Sequence, residues 1–114
     1  MKEKVLEELI EEILKKGKEI IGDVFERVVR EIPYIKIEEG KIRILGRREE
    51  VFDELIAKFE KLMGSAIKGI LVRAVIEFLK EHPAKYKEIK DIIPDWIKKT
   101  PDMKVLEMRG LLKE

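Results

Sequence analysis

Between positions 47 and 82 apolar residues return at steps of three and four. They are Val51, Phe52, Leu55, Ile56, Phe59, Leu62 and Met63, then Ala66, Ile67, Ile70, Leu71, Ala74, Val75, Phe78 and Leu79. That period predicts a helix with one apolar face over 47–82. Unbroken, it would be roughly 50 Å long at about 1.5 Å per residue. Gly64-Ser65 lies inside it, and Ser65 is a candidate cap for a second helix. The uninterrupted apolar period favours a single one.

Residues 2–31 repeat the pattern through Leu6, Leu9, Ile10, Ile13, Leu14, Ile20, Ile21, Val24, Phe25, Val28 and Val29. Gly17 stands where the next apolar residue belongs. It either admits another element at close range or ends a first helix after Lys15-Lys16. Asp23 and Glu26, following Gly22, have the spacing of a capping box and so of a restart. The continuous stripe favours one long helix with a weak point at 17–22.

Pro33 stops that helix, and the period becomes two. Tyr34-Ile35-Lys36-Ile37-Glu38 and Lys41-Ile42-Arg43-Ile44-Leu45 alternate around Glu39-Gly40, which predicts a β-hairpin over 34–45 with one isoleucine face. A lone hairpin is marginal in water. This one needs a helix beneath it, and its edges invite pairing with a second copy. After His82-Pro83 come three short helical pieces, 85–93, 94–99 and 101–111. Thr100-Pro101 has the residues of a helix start and Gly110 those of a stop. The expected fold is α+β and mostly α. Two long antiparallel helices (2–31 and 47–82) are joined by a β-hairpin (34–45), with short C-terminal helices over 85–112, in a single domain spanning 1–114.

Composition adds a setting. Apolar residues make up 45% of the chain and charged residues 43%, with no Asn, Gln or Cys, one Ser and one Thr. Avoidance of amides and thiols with enrichment in Lys and Glu is a thermophilic signature. Without cysteine there is no disulfide, thiolate metal site or thiol nucleophile. The charged start does not resemble a signal peptide, and no apolar run approaches the ~18 residues of a membrane span. A cytoplasmic protein without membrane contact is expected. Residues 1–32 carry seven Lys/Arg against nine Asp/Glu, and residues 65–114 eleven against eight. The mild gradient permits a nucleic-acid-binding C-terminal end.

Candidate chemistry is sparse. Carboxylates four apart (Glu8/Glu12, Glu49/Asp53, Glu77/Glu81) fall on charged helix faces among lysines, where a solvated surface is the simpler reading. His82 is the only histidine; a zinc site wants three or four converging ligands. Ser65 and Thr100 sit in no strand–turn–helix elbow, and the glycines match no phosphate-loop spacing. Neither enzymatic activity, cofactor, metal nor small-molecule substrate is expected. Lys36, Lys41, Arg43, Arg47 and Arg48 would suit a phosphate-contacting ribbon, but Glu38, Glu39, Glu49 and Glu50 interleave with them.

From Val72 the chain reads VRAVIEFLKEHPAKYKEIKDIIPDWIKKTPDMKVLEMRGLLKE. This resembles the helix-turn-helix core of winged-helix regulators. Residues 72–81 would be its first helix, 86–93 its second and 101–109 its recognition helix, closing on Leu106-Glu107-Met108-Arg109-Gly110-Leu111. Two features depart from that family: the link from Ile93 to Pro101 is long, and no wing follows. The resemblance implies DNA contact through Lys98, Lys99, Lys104 and Arg109. The simpler reading makes these helices a cap over the apolar stripes, with Trp96 and Met103 in the core. The expected function is therefore a non-catalytic, self-associating helical interaction module, a homodimer. The alternative is a small dimeric DNA-binding transcriptional regulator.

Overall fold

Two glycines, one in each expected long helix, set the architecture. The structure, a computed structural model, describes residues 2–112. Among them the first stripe forms α1 (Lys2–Ile21) and α2 (Asp23–Val29), and the hairpin forms β1 (Ile35–Glu38) and β2 (Lys41–Ile44). A 3-10 turn at Arg48–Glu50 leads into α3 (Val51–Met63) and α4 (Ala66–Glu81). A second 3-10 turn, Pro83–Lys85, precedes α5 (Tyr86–Ile89), α6 (Asp95–Lys98) and α7 (Pro101–Met108). The protein is mostly helical with a small antiparallel hairpin.

Neither long helix runs unbroken. Gly22 (φ 75°, ψ −156°) and Gly64 (φ 59°, ψ −141°) hold backbone conformations that side chains exclude, so the helix ends at each. The longest dimension of the molecule is 37 Å, well short of an unbroken second helix. The expected caps are not used. Ser65 makes no side-chain cap bond. Gly22 takes the N-cap place, and Glu26 instead accepts from Arg30 at 2.8 Å and Lys18 at 3.2 Å. Those two bonds, the Arg30 bond foremost, hold the Glu26 carboxyl below its usual range.

Bending at Gly22 lets α2 fold back along α1. Gly17 lies inside α1, and a Cβ placed there would fall 2.2 Å from the Phe25 ring. Of the two readings of Gly17, close approach is the one realised. Phe25 in turn stacks on Phe59 of α3, with ring centroids 4.3 Å apart. The breaks also explain where the stripes fail to bury. Ile20 and Val24 flank Gly22, Leu62 adjoins Gly64, and these three are at least a third exposed while most stripe residues lie in one core.

α1 and α4 pack antiparallel. Lys16 lies 2.7 Å from Glu77, and two turns back Glu8 accepts from Lys85 at 2.9 Å. No membrane-spanning helix occurs among the described residues.

The hairpin pairs Ile35 with Ile44 and Ile37 with Ile42. Its turn residues, Glu39 (φ 52°) and Gly40 (φ 78°), both have the positive φ of a type I′ turn. This register points the Ile42 and Ile44 N–H groups outward. They donate to Glu11 Oε2 at 3.3 Å and Glu7 Oε2 at 2.9 Å, one turn apart on α1. The β2 edge is therefore closed by α1 and is not available to a second copy, contrary to the four-stranded sheet that the hairpin alone invites. On β1, Ile35 N–H is taken by Ile32 and the Ile37 carbonyl by Arg30. Glu7→Ala with Glu11→Ala leaves two strand amides unpaired, each costing about 1–3 kcal/mol, and reopens an edge. The expected result is lower stability in urea together with concentration-dependent aggregation. Wild-type stability and solubility would show that the carboxylates do not hold the hairpin.

The C-terminal pieces pack rather than project. Tyr86, Ile89, Ile92, Ile93, Ile97, Met103 and Leu106 are buried in the common core, with Trp96 at its margin. α7 starts as its sequence predicts: Thr100 Oγ1 accepts from Met103 N–H, with Pro101 in the first turn. It ends at Gly110 (φ +66°), where Leu111 N–H donates back to Leu106.

Candidate functional site

α4 is covered on three sides and bare on the fourth. Its residues 69, 72, 73, 76 and 80, at steps of three and four, form the floor of an open groove of about 760 Å³. Lys16 of α1 stands on one side. Trp96 of α6 and Thr100 to Asp102 at the start of α7 stand on the other. Gly69 keeps the floor low, since a Cβ built on it meets nothing within 4 Å. Beyond Gly69 and Arg73 a second, more apolar cleft continues toward the exposed Ile20, lined also by Met63, Ala66 and Ile70.

The groove gathers four cations, Lys16, Lys68, Arg73 and Lys80, against two carboxylates, Glu77 and Asp102. The Lys16 ammonium, 2.7 Å away, is the main force holding the Glu77 carboxyl below its usual range, and Arg73 and Lys80 add to it. The same contact raises Lys16. By linkage this pair stabilises the fold above the usual carboxylate pKa, and that contribution is lost as acid protonates Glu77. The Lys68 ammonium lies 5.6 Å over the Trp96 ring. Trp96, a core plug on the sequence reading, is half-buried and forms part of the groove wall.

The four residues expected to contact DNA are divided between α6 and α7. Lys98 is half-buried on α6 and Lys99 is exposed just after it. On α7, Lys104 and Arg109 lie roughly 140° apart at about 100° per residue. The exposed apolar side chains of Val105 and Met108 stand between them. Glu107 lies one turn from Lys104, and Asp102 is in phase with Arg109. The segment resembling a helix-turn-helix core holds a four-residue helix, α5, where its second helix would be, followed by α6 and α7.

His82 caps α4, its N–H bonded to Phe78 O and its ring 5.1 Å from the Phe78 ring. Among the described residues no three His, Cys, Asp or Glu side chains are placed to hold a metal. Tyr34 is the described ionisable group with the largest perturbation. Burial above all, with Glu54 and Glu50 nearby, pushes its hydroxyl up to about 12. Its oxygen is buried without a hydrogen-bond partner.

Sequence reasoning missed the groove because its parts are far apart in the chain. Lys16, residues 68–80 and Trp96 each sit on an ordinary charged or apolar helix face. The one local signal was Gly69, an interruption on the outer side of a strongly periodic helix. No protein-family model matches this sequence, and neither characterised proteins nor solved structures give a match.

Proposed function

We propose that this protein is a non-catalytic helical interaction module that self-associates as a dimer in the cytoplasm. The observation that supports it is the set of apolar side chains left uncovered at the two glycine breaks. Ile20 is 52% exposed and Leu62 57%, and Ile20 opens onto the apolar cleft with Met63. Such residues scattered singly are ordinary on a monomer; gathered at one end of the helices they favour burial against another chain. A two-fold arrangement would set the same patch against itself.

Sedimentation equilibrium at low micromolar concentration tests this. The expected mass is near twice the monomer's 13.4 kDa, falling to the monomer value for Ile20→Glu with Leu62→Glu. A wild-type mass at the monomer value removes the self-association reading. A DNA-binding regulator is the competing function. Division of Lys98, Lys99, Lys104 and Arg109 between α6 and α7 weighs against it, and the duplex arm of the experiment below tests it directly.

A further inference from the structure

We propose that the basic groove over α4 is a docking site for an acidic amphipathic helix of another protein. The inference lies beyond self-association and uses the other end of the groove. Its first support is shape. The floor spans 69 to 80, about three turns and roughly 17 Å of α4. Its residues repeat at the helical spacing, which suits an occupant whose anchors recur at i, i+3, i+4 and i+7.

The second support is charge. Of the four cations, Lys16 is held by Glu77 and Lys68 lies over Trp96. Among the described residues, Arg73 and Lys80 close no ion pair of their own within 4 Å; both are exposed, and both act on Glu77, which Lys16 already holds. Two cations that share one carboxylate, itself taken by Lys16, flank the apolar side chains of Val72 and Ile76 in the floor. An occupant must therefore carry apolar anchors for the floor and carboxylates for Arg73 and Lys80. An acidic amphipathic helix has both. A nucleic acid would satisfy the cations but leave the apolar floor unused.

Trp96 supplies the readout. It is the only tryptophan of the chain and stands in the groove wall, so an occupant changes its emission. The probe is a capped 18-residue synthetic peptide with leucines at i, i+3, i+4 and i+7 and glutamates elsewhere. Comparison ligands are the same peptide with lysines for glutamates, a glutamate peptide with serines for leucines, and a 20-base-pair DNA duplex. The acidic leucine peptide is expected to give a saturable change in Trp96 emission, weakened about tenfold or more by Arg73→Glu with Lys80→Glu. Gly69→Leu should block the groove, since a Cβ added there meets nothing within 4 Å and the longer side chain rises from the floor. Glu77→Gln should tighten binding, because it removes the carboxylate that competes with the peptide.

Folding is checked by circular dichroism, with Arg73→Gln and Lys80→Gln replacing the reversals if those unfold. Sedimentation of Lys80→Glu separates the two proposals: Lys80 lines the basic groove and not the cleft at Ile20, so its mass should match that of the wild type even though the peptide binds more weakly. Absence of a saturable change, equal affinity for the lysine or serine peptide, or insensitivity to Arg73 and Lys80 overturns the docking site. Binding of the duplex in place of the peptide assigns the groove to nucleic acid and overturns it as well.

Discussion

Phe59→Ala is expected to destabilise the protein by about 3–5 kcal/mol, the range for deleting a buried aromatic side chain. Phe59 has no exposed surface and stacks on Phe25, which has none either, at 4.3 Å between centroids. The loss has three parts: the transfer energy of the ring, the cavity left behind, and the stacking partner of Phe25. Phe25 is held from its other side by α1 at Gly17, so it cannot move in to fill the space without leaving that contact. Three helices, α1, α2 and α3, meet at this one stack. Urea unfolding at constant m-value is the measurement. A change below about 1 kcal/mol would show that α2 does not join α1 to α3 in this way.

Gly17→Ala is the second large effect, and its sign is opposite to the local expectation. In an exposed helix interior, replacing Gly with Ala stabilises by about 1 kcal/mol. Here the added methyl would lie 2.2 to 2.4 Å from three carbons of the Phe25 ring. The ring would have to leave its stack, or α2 would have to move off α1. Overpacking of this kind costs about 1–3 kcal/mol and occasionally more, enough to outweigh the helix propensity. The expected outcome is a net loss of stability in urea. A double-mutant cycle isolates the cause. In a Phe25→Ala background the same Gly17→Ala change should become stabilising, because the ring that opposes it is gone. A stabilising effect in the wild-type background would show that α2 does not fold back onto α1.

Much of the architecture was legible from local pattern. The switch of apolar period from 3.6 to two located the hairpin, and Glu39-Gly40 supplied its turn. Thr100-Pro101 marked the start of α7, and the stripe residues Leu6, Leu9, Ile13, Phe25, Leu55, Phe59, Leu71 and Leu79 are in the core. These features rest on chemistry within a few residues: a side chain's phase on its own helix, a proline without an N–H, a hydroxyl beside free amides.

The breaks at Gly22 and Gly64 were not decidable that way. Both stripes continue in phase across their glycine, and a glycine inside a helix costs only about 1 kcal/mol. Whether the helix continues or turns is settled by what turning gains. At Gly22 the turn places Phe25 between Gly17 and Phe59, a contact between residues remote along the chain. The same holds for function-bearing surfaces. Lys104 and Arg109 are close in sequence yet separated by helix phase. Lys16, Arg73, Lys80 and Trp96 are distant in sequence yet line one groove. Local sequence fixes which face of each helix is apolar. Only the packing of α1, α6 and α7 around α4 decides which face is left bare and what charge surrounds it, because burial of one helix depends on the position of all the others.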